Sequence, residues 1–130
     1  MTTLPTPVDP PGLFHSPGFA QGMIAPAGAT LYVGGQNGAD ATGALLKGVE
    51  AQVEQALRNV LAVLAAAGTT PDNVVKLTIY LAPGVDPARG FAAAALVWGE
   101  RRTAVTVLQV APARPGALVE IDAVAYVPAS

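Results

Sequence analysis

The chain has 130 residues, a formal net charge of -2 and no cysteine, which excludes disulfides, a thiolate metal site and a Cys nucleophile. Its seven basic residues are scattered apart from Arg101-Arg102, which argues against nucleic acid as a main partner because phosphate binding needs clustered Lys and Arg. Hydrophobic residues make up 52 % and charged residues 12 %, against roughly 25 % charged in an average globular protein; this excludes disorder and points to apolar surface buried between subunits, the alternative being that abundant alanine inflates the count without making sticky patches.

No apolar run is long enough to span a bilayer, and Met1 to Pro11 lacks the basic-then-apolar order of a signal peptide. A cytoplasmic protein with no membrane partner is expected. Residues 1–12 carry Pro5, Pro7, Pro10 and Pro11 and read as a flexible, extended tail, ahead of a single domain over 13–130. Gly22 to Pro26 reads as a short strand. Gly28 then turns the chain into Thr30-Leu31-Tyr32-Val33, a β-branched and aromatic run closed by Gly34-Gly35, so the two runs predict a hairpin. Asn37 to Lys47 reads as a loop.

Val49 to Ala67 is the clearest helix. Val49, Val53, Ala56, Leu57, Val60, Leu61 and Leu64 form one apolar stripe, and Gly68 stops it. Val74 to Leu81 alternates apolar with polar residues and predicts a strand with one wetter face. Pro87 to Gly99 predicts a second helix with Phe91, Ala94, Ala95 and Trp98 on one side. Val105 to Val110 and Leu118 to Val127 predict the last strands, parted by the turn Pro112 to Gly116. The order β-β-α-β-α-β-β places two helices on one face of a mixed sheet, an α+β arrangement.

That order, and several segments within it, resembles the RidA/YjgF family of reactive-intermediate deaminases. The segments are Ser16-Pro17-Gly18-Phe19-Ala20-Gln21, Leu31-Tyr32-Val33-Gly34-Gly35-Gln36, Gln55-Ala56-Leu57-Arg58-Asn59, Val74-Val75-Lys76-Leu77-Thr78 and Leu118-Val119-Glu120-Ile121-Asp122-Ala123. The resemblance implies a chorismate-mutase-like fold and a homotrimer. In it, three sheets form a central barrel, and small-molecule ligands bind in clefts between subunits. It implies no cofactor and no metal.

The chemistry it implies is hydrolysis of enamines and imines such as 2-aminoacrylate, with release of ammonia. Such a reaction needs a group to orient and deprotonate water, donors to hold the substrate, and a partly dry pocket. Carried over by position, the catalytic glutamate falls on Glu120. The family's tyrosine falls on Phe19, which has no hydroxyl. The arginine that pairs with a substrate carboxylate falls on Val105, so the chain looks like a subgroup lacking that arginine. Gly35, Gln36, Thr106 and Val107 are expected to flank the cleft. Arg102 or Arg114 is the candidate to restore the missing charge.

A carboxylate set against Val105 without a partner loses several kcal/mol, roughly two or more orders of magnitude in binding. Weak or no turnover of 2-imino acids is therefore expected, with preference for a neutral or more apolar ligand. The alternatives are a non-catalytic trimer that binds a metabolite or acts as an accessory and, with least support, an endoribonuclease. His15, the only histidine, reads as exposed, and Trp98 as core. Arg101-Arg102 complements the C-terminus of the second helix. Gly34 to Gly38 lacks the lysine and spacing of a phosphate loop.

Overall fold

The computed structural model describes residues 3–129. Met1, Thr2 and Ser130, which fall within the expected tail and domain, lie outside the described residues. The elements run β1 (Thr6–Val8), β2 (Gly22–Ile24), β3 (Ala29–Asn37), α1 (Val49–Ala66), a 3-10 turn (Pro71–Asn73), β4 (Val74–Leu81), α2 (Pro87–Trp98), β5 (Ala104–Gln109) and β6 (Val119–Val127).

The α1 stripe forms as its spacing dictates. Val49, Val53, Ala56, Leu57, Val60 and Leu64 are buried, and Leu61 is partly so. They pack on β3 and β6, with α2 alongside. Leu57, Val60 and Leu64 are essentially solvent-free, each worth about 1.5–3 kcal/mol of transfer free energy. One polar residue shares this face. Gln52 is buried; its Nε2 donates to the carbonyls of Leu46 and Gly116, and its Oε1 accepts from the amide of Leu118. A single carboxamide thereby satisfies backbone groups from two loops.

The sheet runs β3-β6-β4-β5, with β4 and β5 parallel and the other pairs antiparallel. It is mixed, and both helices lie on one face, as the sequence order predicts. Alternation along each strand turns Leu77, Leu81, Val119, Ile121 and Ala123 into the core. It turns Tyr32, Thr78, Tyr80, Thr106, Leu108, Glu120 and Asp122 to the opposite face, where Tyr32 is 76 % and Leu108 50 % exposed.

Three local expectations need correction. β2 does not form a hairpin with β3: it pairs antiparallel with β1, Thr6 opposite Ile24 and Val8 opposite Gly22. β3 instead pairs with β6 along most of its length, while Pro26 has no amide hydrogen with which to extend β2. A strand therefore lies within the segment read as an extended tail, held by Asp9 accepting from the amide of Gln21 at 3.0 Å. Gly34-Gly35 does not end β3. The strand runs on to Asn37 through a register shift between Val33 and Gln36, as a bulge permits.

The second helix, α2, forms where predicted. It is capped by Asp86, which accepts from the Ala88 amide at 2.9 Å, with Pro87 in its first turn. Its buried residues are Gly90, Ala93 and Trp98. Phe91 is 54 % exposed, and with Ala94, Ala95 and Trp98 it lines one cavity, so the four share one side as predicted. Gly90 has no side chain and lies close against Leu81.

Candidate functional site

Two constellations emerge on opposite faces of the sheet. The first is a cavity of about 400 Å³ between α2, the start of β5 and the segment before β2. Its walls include Phe19, Leu77, Phe91, Trp98 and Val105, with Gly18, Gly99 and Arg101 at the edge. Leu77 and Val105 are register partners in the parallel pair β4–β5, so both side chains enter from the sheet. Phe19 is placed by its neighbour: Ala20 bridges to Ala104, and its amide donates to the Thr103 carbonyl at 2.9 Å. The structure thus brings Phe19 and Val105 to one apolar cavity.

The guanidinium groups nearby are occupied. Arg102 Nη2 donates to the Phe19 carbonyl at 2.9 Å and to Asp9 Oδ2 at 3.1 Å, and its Nε donates to the Ser16 carbonyl at 3.2 Å. It fastens the segment carrying Phe19. Arg114 donates to the Gly43 carbonyl on the loop after β3. Arg101 lies over Trp98 with its Cζ 5.8 Å from the ring centroid. Its Nη1 donates to the Trp98 carbonyl and its Nε to Asp72 at 2.9 Å, so this arginine does meet the C-terminus of α2 as its position predicts.

The second constellation surrounds Glu120. Half-buried on β6, it faces away from the helices, since its neighbours Val119 and Ile121 face them. Asn37, its register partner on β3, donates from Nδ2 to Glu120 Oε1 at 3.3 Å and to the Val119 carbonyl at 3.2 Å. Gly35 lies directly beneath the carboxylate: a Cβ built there would stand 2.1 Å from Glu120 Oε2. Gln36 turns its Nε2 back to the Gly34 carbonyl at 3.2 Å. Tyr80, opposite Glu120 on β4, donates its hydroxyl to Asp122 Oδ2 at 3.1 Å. That hydrogen bond raises the phenol above its ordinary range, with desolvation and the charges of Asp122 and Glu120 adding to it.

One chain therefore gathers Phe19 with Val105, and Gly35 with Glu120, but keeps the two groups apart; Gln36 is the register partner of Ile121 and is not brought to Glu120. Thr106, on the Glu120 face, accepts from Lys76 Nζ. Val107 lies on the helix face, in a narrow crevice with Val53, Ile79 and Phe91. Asn37 and Phe91 were missed in the sequence. Asn37 is identified only by its register opposite Glu120, and Phe91, on the predicted side of α2, only by the cavity it lines. His15 is exposed and Trp98 buried, as expected. Among the described residues no cluster of His, Cys, Asp or Glu is arranged to hold a metal, and no helix is long and apolar enough to cross a membrane.

Comparison with known proteins agrees with this architecture. The family described as Endoribonuclease L-PSP matches residues 15–127. A RutC family protein of Pyrococcus horikoshii is 36 % identical over 102 residues, spanning 77 % of this chain and 81 % of the relative. A Yersinia pestis protein of the conserved Rid family, described as of unknown function, superposes with a TM-score of 0.84 at 30 % identity, covering 96 % of this chain and all of that one. RidA from an Antarctic Psychrobacter superposes with a TM-score of 0.71, also at 30 % identity, over 98 % of this chain and 100 % of that one. With nearly the whole chain matched in sequence and in fold, the protein belongs to the Rid/YjgF/RutC family, the endoribonuclease L-PSP family.

Proposed function

We propose that this chain hydrolyses neutral or apolar imines and enamines, as a homotrimer whose clefts join the apolar cavity of one copy to Glu120 of the next. The observation that carries the reading is the cavity wall. Val105 and Phe19 stand where a guanidinium and a phenol are expected, the neighbouring Arg102 is tied through Nε and Nη2 to Ser16, Asp9 and Phe19, and Arg101 is paired with Asp72. A carboxylate entering this cavity would shed water without gaining a partner. An apolar group would gain roughly 25 cal/mol per Å² buried.

In the proposed reaction Glu120 accepts a proton from water as the oxygen attacks the imine carbon. The C=N π electrons move to nitrogen, which takes up the proton. The resulting carbinolamine loses ammonia and leaves a carbonyl, so imine and water give carbonyl compound and ammonia. Assembly is part of the proposal because Glu120 and the cavity lie on opposite faces of one sheet. The outward-facing Tyr32 and Leu108 supply apolar surface for it.

The test uses two imine sources. A flavin amine oxidase releases a neutral aldimine from phenethylamine, and an amino-acid oxidase releases 2-imino acids from leucine and phenylalanine. Semicarbazide trapping follows imine loss. Faster loss of the aldimine than of the 2-imino acids supports the proposal. No acceleration of any imine ends the enzyme reading and leaves a metabolite-binding trimer, which the absence of a hydroxyl at Phe19 favours as the second reading.

A further inference from the structure

The side chain facing Glu120 has a defined job. Asn37 reaches Glu120 Oε1 from the opposing strand, and its own backbone is braced from α1. Asn59 Nδ2 donates to the carbonyls of Asn37 and Ala39 at 3.2 and 3.0 Å, and Asn59 Oδ1 accepts from Gln55 Nε2 at 2.8 Å. The second carboxylate oxygen is treated differently. Oε2 lies over Gly35, where a Cβ would overlap it at 2.1 Å. Among the described residues Oε2 accepts no hydrogen bond, while Oε1 accepts that of Asn37.

We infer that Asn37 is a positioning residue: it anchors Oε1 of Glu120 so that Oε2 is presented above the bare backbone of Gly35 as the oxygen that takes a proton. This rests on the reading of Glu120 as the group that orients water. The chemistry suits the task. A neutral amide fixes the direction of a carboxylate without cancelling its charge, whereas Lys or Arg in its place would form an ion pair and compete for the same lone pairs. A strand supplies the donor and a helix holds that strand still, which is the support a preorganised group needs. Gly35 completes the arrangement by leaving no side chain between Oε2 and an incoming molecule.

Two measurements test it. In ¹H–¹⁵N spectra, Glu120→Gln replaces a charged acceptor by a neutral one. The Asn37 side-chain amide signals shift while those of Asn59 stay in place. Unmoved Asn37 signals overturn the inference, whether or not the protein turns over any imine. In kinetics on the phenethylamine-derived aldimine, Asn37→Leu lowers kcat about tenfold, the weight of one hydrogen bond to a charged group, with KM within about twofold. Asn37→Asp, of the same shape but without the donor, falls at least as far. Gly35→Ala keeps its unfolding midpoint, because the Glu120 side chain can swing aside, but loses kcat. A raised KM with unchanged kcat in Asn37→Leu overturns the inference. Inactivity of the unaltered protein instead sinks the proposed function, and the amide signals then decide the role of Asn37.

Discussion

Val105 and Glu120 stand on opposite faces of one sheet. Val105 pairs with Leu77 on the helix side, and Glu120 pairs with Tyr80 on the open side. A molecule in the apolar cavity of one copy therefore cannot touch the carboxylate of that same copy. In the proposed function the face carrying Glu120 must meet a second copy before the site is complete.

Breaking that face is expected to abolish both assembly and turnover. Tyr32→Asp puts a charge on the most open aromatic of the β3 surface, 76 % exposed, where burial in an interface would leave it unpaired. Light scattering is expected to fall from three times 13.0 kDa to one. A variant that stays trimeric, or a monomer that keeps full activity, counts against the assembled site.

Restoring the missing cation is expected to invert the ligand preference. In Val105→Arg the guanidinium enters the cavity beside Phe19, where it can clamp a carboxylate in bidentate fashion. Turnover of 2-imino acids is expected to rise by about two orders of magnitude, matching the several kcal/mol an unpaired carboxylate costs. The aldimine reaction is expected to slow. A folded variant with unchanged preference would show that this wall does not contact the ligand.

Gln52→Leu keeps the volume of the side chain but removes three hydrogen bonds to the backbone of Leu46, Gly116 and Leu118. The Leu46 carbonyl and the Leu118 amide are left half-buried, while the exposed Gly116 can turn to water, so stability is expected to fall by about 2 kcal/mol. Urea denaturation measures it. A loss under about 1 kcal/mol would mean water replaces the carboxamide.

The β1–β2 arm is expected to loosen in acid. Asp9 is held below the ordinary aspartate range, first by the Gln21 amide and then by the hydrogen bond and charge of Arg102, against some desolvation. A depressed folded value means that the carboxylate stabilises the arm fully above the unfolded value of about 3.9 and that this is lost as pH falls through the folded value. Hydrogen exchange at the Gln21 amide is expected to rise in that window, and Arg102→Met is expected to move the rise to higher pH. An acid-insensitive Gln21 would remove Asp9 from the account.

The sequence by itself determined the element order from β2 onward, the apolar stripe of α1, the boundaries of β4 and the membership of the family. These depend on periodicities of 3.6 and 2 and on local stops such as Gly68 and Pro83, all written within a few residues of where they act. Only the tertiary structure decided which strand partners β2, that Phe91 shares a cavity with Val105, that Arg102 is spent on fastening Phe19, and that Asn37 meets Glu120. Each of these joins residues distant in the chain through register or close packing: Asn37 and Glu120 lie 83 positions apart. A single strand carries the parity of its faces but not the identity of the residue opposite, and that pairing is set by the whole sheet.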